Sequence, residues 1–263
     1  MPNLLISELK LQGRHWSWWL AILLSFLFGW FVINKQTPDM DIQITGSYFL
    51  IKTFAIELLI LPVLVSVFAA QATVRDFDSQ MVSLVYASTI NVKKVLWARI
   101  TALILLCFTV YVSFSVGIVT GLIGHEDFSL ILALSSISWS LLVLLLPGLL
   151  LLVSVMFSVG LYFKRSIYLY LFACLFFFAY QFYLIVSGSP LMASRIAPDP
   201  GWMVILMWLD PYGLTGYFSL VSDWLPEQKN HSLPTMSVDY LLNRMIFVAT
   251  ALPLYLCFFF FNL

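Results

Sequence analysis

Few side chains in this sequence are equipped for chemistry, and those few sit at the edges of long apolar runs. Glu57 is the strongest ionisable candidate inside such a run, with Lys52 about a turn and a half before it. A charge at membrane depth is costly unless it is paired or faces water. Glu57 therefore reads in one of two ways: lining a polar translocation path, or pairing with Lys52 near a membrane boundary. Residues five apart are not ideally placed on one helix face, so both readings stay open. The other concentration of charge is the stretch 75–99, RDFDSQMVSLVYASTINVKKVLWAR, flanked on both sides by apolar runs. It opens on Arg75, Asp76, Phe77 and Asp78. Asp78 or Ser79 can cap a helix by accepting orphan backbone N–H groups. Met81, Leu84 and Val85 then fall on one face at spacings of three and four. Asn91 caps the helix that follows, and Lys93, Lys94 and Arg99 mark the membrane–water boundary. The other reading of this stretch is a solvated loop with basic anchors, against which stand its length and its apolar stripe.

The motifs that would make an enzyme are missing. There is no G-x-x-x-x-G-K-[ST] phosphate loop, so ATP is not bound by that route. There is no H-E-x-x-H, and His15, His125 and His231 are scattered. No G-x-S-x-G elbow is found, and no pair of aspartates lies inside an apolar run. Cys107, Cys174 and Cys257 each sit in an apolar run and read as small buried hydrophobes. The chain is accordingly expected to be no enzyme, with no metal and no cofactor of its own.

The elements that must position these residues are membrane spans. Of 263 residues, 62% are hydrophobic and 10% charged, and the mean hydropathy is +0.97. Soluble domains average roughly half apolar and a quarter charged. The formal net charge of zero argues against a nucleic-acid partner. A span takes about 20 apolar residues, and six candidates appear: about 16–33, 48–72, 95–123, 130–163, 167–186 and 241–261. The fourth is overlong, and its serine-rich first part, 130–140, reads as an interfacial segment before the true span. Pro62 and Pro147 are candidate kinks in the second and fourth. No cleavable signal peptide is evident.

Basic-residue bias orients the chain. With the amino terminus inside, Lys10, Arg14, Arg75, Lys93, Lys94, Arg99, Lys164 and Arg165 lie inside. Lys35, Lys52, Arg195, Lys229, Arg244 and most of the acidic residues lie outside. Residues 4–14 alternate apolar and polar at helical spacing, as an amphipathic surface helix anchored by Trp16, Trp18 and Trp19 would. The long region 187–240 falls outside; its run 202–209 is too short to cross and stops at Asp210-Pro211, and the aromatic-rich PYGLTGYFSLVSDW is expected at the interface. The alternative, a seventh crossing over 202–220, would put the carboxyl terminus outside.

The stretch 75–99 resembles the coupling region of ABC type-2 exporter permeases: Arg75-Asp76 opens it, Ser88-Thr89-Ile90 stands at the turn, and Lys93, Lys94 and Arg99 lead into the third span. LDPYGL (209–214), DWLPEQKN (223–230) and LLNR (241–244) are similar to the permease half of bacterial permease/aminopeptidase fusion proteins. Thr89 stands where the family usually has proline, and Gln80 where glycine is common. The resemblance covers most of the chain and implies an all-α integral membrane fold, a single permease domain of six transmembrane helices. It implies an amphipathic amino-terminal helix, a cytoplasmic coupling helix between spans 2 and 3, and a long outer loop before span 6. It implies a bacterial inner (cytoplasmic) membrane location, with a second permease subunit, identical or different, and separate ABC ATPase subunits that carry ATP and Mg. ATPase coupling would fall to Arg75, Asp76, Phe77, Asp78, Met81, Leu84, Val85, Lys93, Lys94, Lys164 and Arg165; Glu57 and Lys52 would line the path. The rival readings are an ATP-independent secondary transporter or channel, and a membrane scaffold subunit.

Overall fold

A computed structural model describes residues 2–36, 41–78, 92–192 and 199–260. The protein is all-helical, 81% helix, with no strand among the described residues. The helices run in order as α1 (Pro2–Gly13), α2 (Trp16–Lys35), α3 (Ser47–Leu58), α4 (Leu61–Thr73) and α5 (Arg75–Asp78). Then come α6 (Val92–Leu122), α7 (Leu130–Trp139), a π turn (Ser140–Leu145), α8 (Leu146–Phe163) and α9 (Ser166–Val186). The remainder is α10 (Pro200–Leu209), α11 (Leu214–Val221), α12 (Pro226–His231) and α13 (Val238–Phe260).

Four of these helical stretches are long and apolar enough to cross a membrane: Trp16–Lys35, Lys93–Leu122, Leu130–Phe163 and Ser166–Val186. A fifth results if α3 and α4, bent by 44° at a short break, count as one span. Their outer surfaces fit a lipid solvent. Leu23, Leu24, Leu27 and Phe31 of α2 and Leu171, Leu175, Phe178 and Phe182 of α9 are exposed, far more apolar surface than a water-soluble monomer leaves uncovered. The protein is therefore read as membrane-embedded.

Inside the bundle α4 is central, touching α6, α8 and α9, while α2 lies along α6 and α13 along α8. The α2–α6 contact is made by backbones. A Cβ on Gly29 would stand 2.5 Å from the Phe114 carbonyl oxygen, and one on Gly117 would stand 2.2 Å from that of Phe26. Membrane helices lack a hydrophobic drive toward one another, so small residues that let backbones touch carry much of the association.

Helix α3 breaks off after Leu58. The N–H groups of Leu59 and Ile60 fold back to the carbonyls of Ile56 and Glu57, at 3.2 and 3.1 Å, a tighter turn than an α-helix makes. Pro62 then opens α4, where its missing N–H goes unmissed. The fourth span departs from expectation. Residues 130–140 are continuous with the span: they belong to one 34-residue helical stretch, Leu130–Phe163. Pro147 offers no N–H to the preceding turn, and the chain widens there into the π turn, where the Leu146 N–H reaches the Leu141 carbonyl. The serine hydroxyls that made the segment look wet bond back to their own helix: Ser136 to Leu132 O and Ser140 to Ser136 O, both at 2.8 Å.

Candidate functional site

Those expected coupling residues whose side chains are described lie at the end of the bundle where α1, α5, the start of α6 and the α8–α9 turn meet. The centre of this region is Glu8. Its Oε1 takes the Arg99 Nε at 3.3 Å and the Arg75 Nη2 at 3.7 Å, and its Oε2 takes the Gln12 amide at 3.4 Å. Glu8, Gln12 and Arg99 are all buried. A buried carboxylate is tolerable only when paired and hydrogen-bonded, and here two arginines from different elements converge on it. One side chain thus ties α1 to the mouth of the 75–99 stretch and to the third span.

This corrects two sequence expectations. The polar residues Glu8 and Gln12 face inward, while Ile6 and Leu11 are exposed. Helix α1 therefore packs by a charged face, because that face meets arginines and not water. Arg99 likewise does not reach out to solvent; it is 7% exposed and bound to Glu8. Lys93 and Lys94, one and two residues into α6, are exposed as expected. Of the three tryptophans expected as anchors, Trp16 and Trp19 are exposed. Trp18 packs on the core and donates to Thr109 Oγ1 at 3.2 Å.

Phe77 and Lys164 meet: the ammonium sits 5.2 Å from the ring centroid. Lys164 is held there by its own backbone, left-handed at φ 55° where α8 stops, and Arg165 beside it is exposed. Gln71, on the last turn of α4, reaches Ser17 Oγ at 2.8 Å. Arg75, Phe77, Lys93, Lys94, Lys164 and Arg165 therefore share one end of the bundle with Glu8. Met81, Leu84 and Val85 lie outside the described residues, as do the side chains of Asp76 and Asp78.

Glu57 is buried, at 4% exposure. The Ser25 hydroxyl donates to its Oε1 at 2.7 Å, and the Tyr111 hydroxyl reaches its backbone carbonyl at 3.3 Å. These bonds join α2, α3 and α6 at the break between α3 and α4. Lys52 is not its partner. Five residues back along α3 is about 140° around the helix, and the Lys52 ammonium sits 5.9 Å from the Tyr48 ring centroid.

A third constellation, not anticipated as a site, closes the other end. Asp210 is fully buried and accepts three hydrogen bonds: the Tyr180 hydroxyl and Tyr212 N–H on Oδ1, both at 2.9 Å, and the Thr215 N–H on Oδ2 at 2.7 Å. Arg244, also buried, donates to the carbonyls of Asp210 at 2.5 Å and Pro211 at 3.1 Å. Its neighbour Asn243 donates to the carbonyls of Met207 and Trp208, at 2.8 and 3.1 Å. Between them Gly213 turns left-handed at φ 72°, and a Cβ there would meet the Arg244 guanidinium carbon at 2.5 Å. The LDPYGL and LLNR segments are therefore the two halves of one lock. The aromatic run after Asp210 packs into the protein: Tyr212, Leu214 and Tyr217 are all buried. Burial holds the Tyr212 phenol well above its usual pKa, with the Asp210 charge adding to it. The signal available in sequence was charge itself, since an Asp and an Arg inside apolar surroundings must each find a partner.

Comparison with known protein families, curated proteins and solved structures finds no match to this chain.

Proposed function

We propose that the chain is the membrane-spanning permease subunit of an ATP-driven ABC exporter, working in the inner membrane of a bacterium with its amino terminus in the cytoplasm. In this reading α13 is the sixth span, and the permease dimerises with itself or a sister subunit. Separate ATPase subunits bind ATP and Mg and press on the end that carries α1, α5 and the Lys164-Arg165 turn. The observation that carries the reading is the Glu8 carboxylate gripping Arg75 and Arg99. A push delivered to the 75–99 stretch then reaches α1 and the third span through charged contacts instead of being absorbed by a slack loop. The spans would move between two packings, driven by the ATPase's differential affinity for them. Exposed Lys93, Lys94, Lys164 and Arg165 supply a basic rim suited to an acidic docking surface.

A second reading, a transporter that needs no ATP, draws on Glu57 beside the 44° break of the second span. Broken helices with an ionisable residue are where such proteins bind ions. Affinity purification from the native host separates the two. Copurification of an ATPase, lost when Met81 and Leu84 are both changed to Asp while the chain stays inserted, supports the exporter. A chain that purifies without an ATPase and still transports in ATP-free vesicles would sink it.

A further inference from the structure

The end of the bundle that carries α12 gathers two lysines around one ring. Lys52 Nζ stands 5.9 Å and Lys229 Nζ 5.4 Å from the centroid of Tyr48. They come from positions far apart in sequence, and the fold takes care to hold them together. The Ser47 hydroxyl, in the first turn of α3, donates to the carbonyls of Lys229, at 3.1 Å, and of Ser232. Asn230 next door accepts from the Gln43 N–H at 2.9 Å and donates to the Asp41 carbonyl at 3.1 Å. Asn230 and Ser47 are buried, so this scaffold is fixed.

Neither lysine forms an ion pair with a carboxylate among the described residues, although Asp41, Glu126, Asp127, Asp223 and Glu227 are all described. Two half-buried ammoniums brought to one ring repel, and the cation–π contact offsets only part of that. The wall behind the ring also holds unspent donors. Tyr217 stacks on Tyr48 at 6.4 Å and Trp139 meets Tyr217 at 5.5 Å. The Tyr217 hydroxyl and the Trp139 indole N–H are both buried without a hydrogen-bond partner.

We infer that Lys52 and Lys229 form a binding site for the anionic headgroup of a membrane amphiphile. Lys52 lies about 8 Å along α3 from its first residue, and a lysine stem lying along apolar surface can carry its ammonium to a polar headgroup. Helix α7 packs on α3 and leaves Ile131 and Leu134 exposed, an apolar track for the chain of such a molecule. The headgroup charge neutralises the lysine pair, and the chain distinguishes the ligand from a free anion. The site goes beyond the exporter reading and needs no ATPase; within that reading it names the class of cargo or regulatory lipid.

The test uses the purified full chain in neutral detergent, titrated with phosphatidylglycerol, with phosphatidylcholine of the same chains, and with inorganic phosphate, followed by native mass spectrometry. Phosphatidylglycerol should bind saturably and about tenfold more tightly than phosphatidylcholine. The Lys52→Met/Lys229→Met pair should erase that preference, and the Lys52→Arg/Lys229→Arg pair should keep it. Should the Met pair not fold, each single Met variant serves, with a partial loss of preference expected. Equal binding of the two lipids, or a preference that survives removal of the lysines, overturns the site. Inorganic phosphate binding as tightly as the lipid would overturn the amphiphile.

Discussion

The two ends of this bundle both bury charge, and they satisfy it differently. At the α1 end, the Glu8 carboxylate meets the side chains of Arg75 and Arg99, which belong to separate elements. At the α10–α11 end, Asp210 and Arg244 satisfy themselves largely on backbone groups of one turn: the N–H groups of Tyr212 and Thr215 and the carbonyls of Asp210 and Pro211. Side chain to side chain, a charge can change partners while the helices stay intact. Committed to the backbone, it specifies the shape of the turn itself. The first arrangement suits a joint and the second a clamp. The placement agrees with the proposed exporter, in which force enters at the α1 end.

The comparison is broken most severely at Asp210. Asp210→Ala strips the acceptor from two backbone N–H groups and from Tyr180, and so unties the turn whose carbonyls hold buried Arg244. With three buried donors left unsatisfied, it should destabilise the protein by about 3–5 kcal/mol, read as a large drop in the unfolding midpoint and in yield of folded protein. Asp210→Asn should do less harm, since its amide oxygen still accepts. A melting curve for the alanine variant equal to the parent would mean that the clamp is not one.

Gly213→Ala tests the same turn from the backbone. A Cβ there combines a left-handed φ with contact on the Arg244 guanidinium, and about 1–3 kcal/mol should be lost. In combination with Arg244→Met the two losses should add to less than their sum, because the clash disappears. Strict additivity would show that Gly213 and Arg244 do not press on each other.

At the other end Glu8→Gln keeps shape and removes the charge. The expected loss is about 1–3 kcal/mol, confined to the joint. Amides of α1 and of the first turns of α6 should exchange faster with solvent, while those of α10 and α11 keep their protection. Loss of protection at both ends would collapse the distinction between joint and clamp. Lys164→Ala removes an exposed cation over Phe77 and should cost at most about 0.5–1 kcal/mol; a larger shift in the melting midpoint would reveal a structural role for that turn.

The helical, membrane-embedded nature of the chain was legible in its residues, because run length and apolarity are local properties that lipid reads directly. The break near Pro62 was legible too, since a proline fits the first turn of a helix and not its interior. Local reading misled where a residue's meaning depended on a distant one. Glu8 looked like part of a wet helix face until Arg99, 91 positions away, came to meet it. The Arg244 guanidinium likewise finds the Asp210 backbone carbonyl, 34 positions away, only when α13 lies against the turn. Composition required that each buried charge have a partner, since bare charge in hydrocarbon is too costly to persist. Which partner it took was decided by helix packing alone, through contacts that no local periodicity encodes.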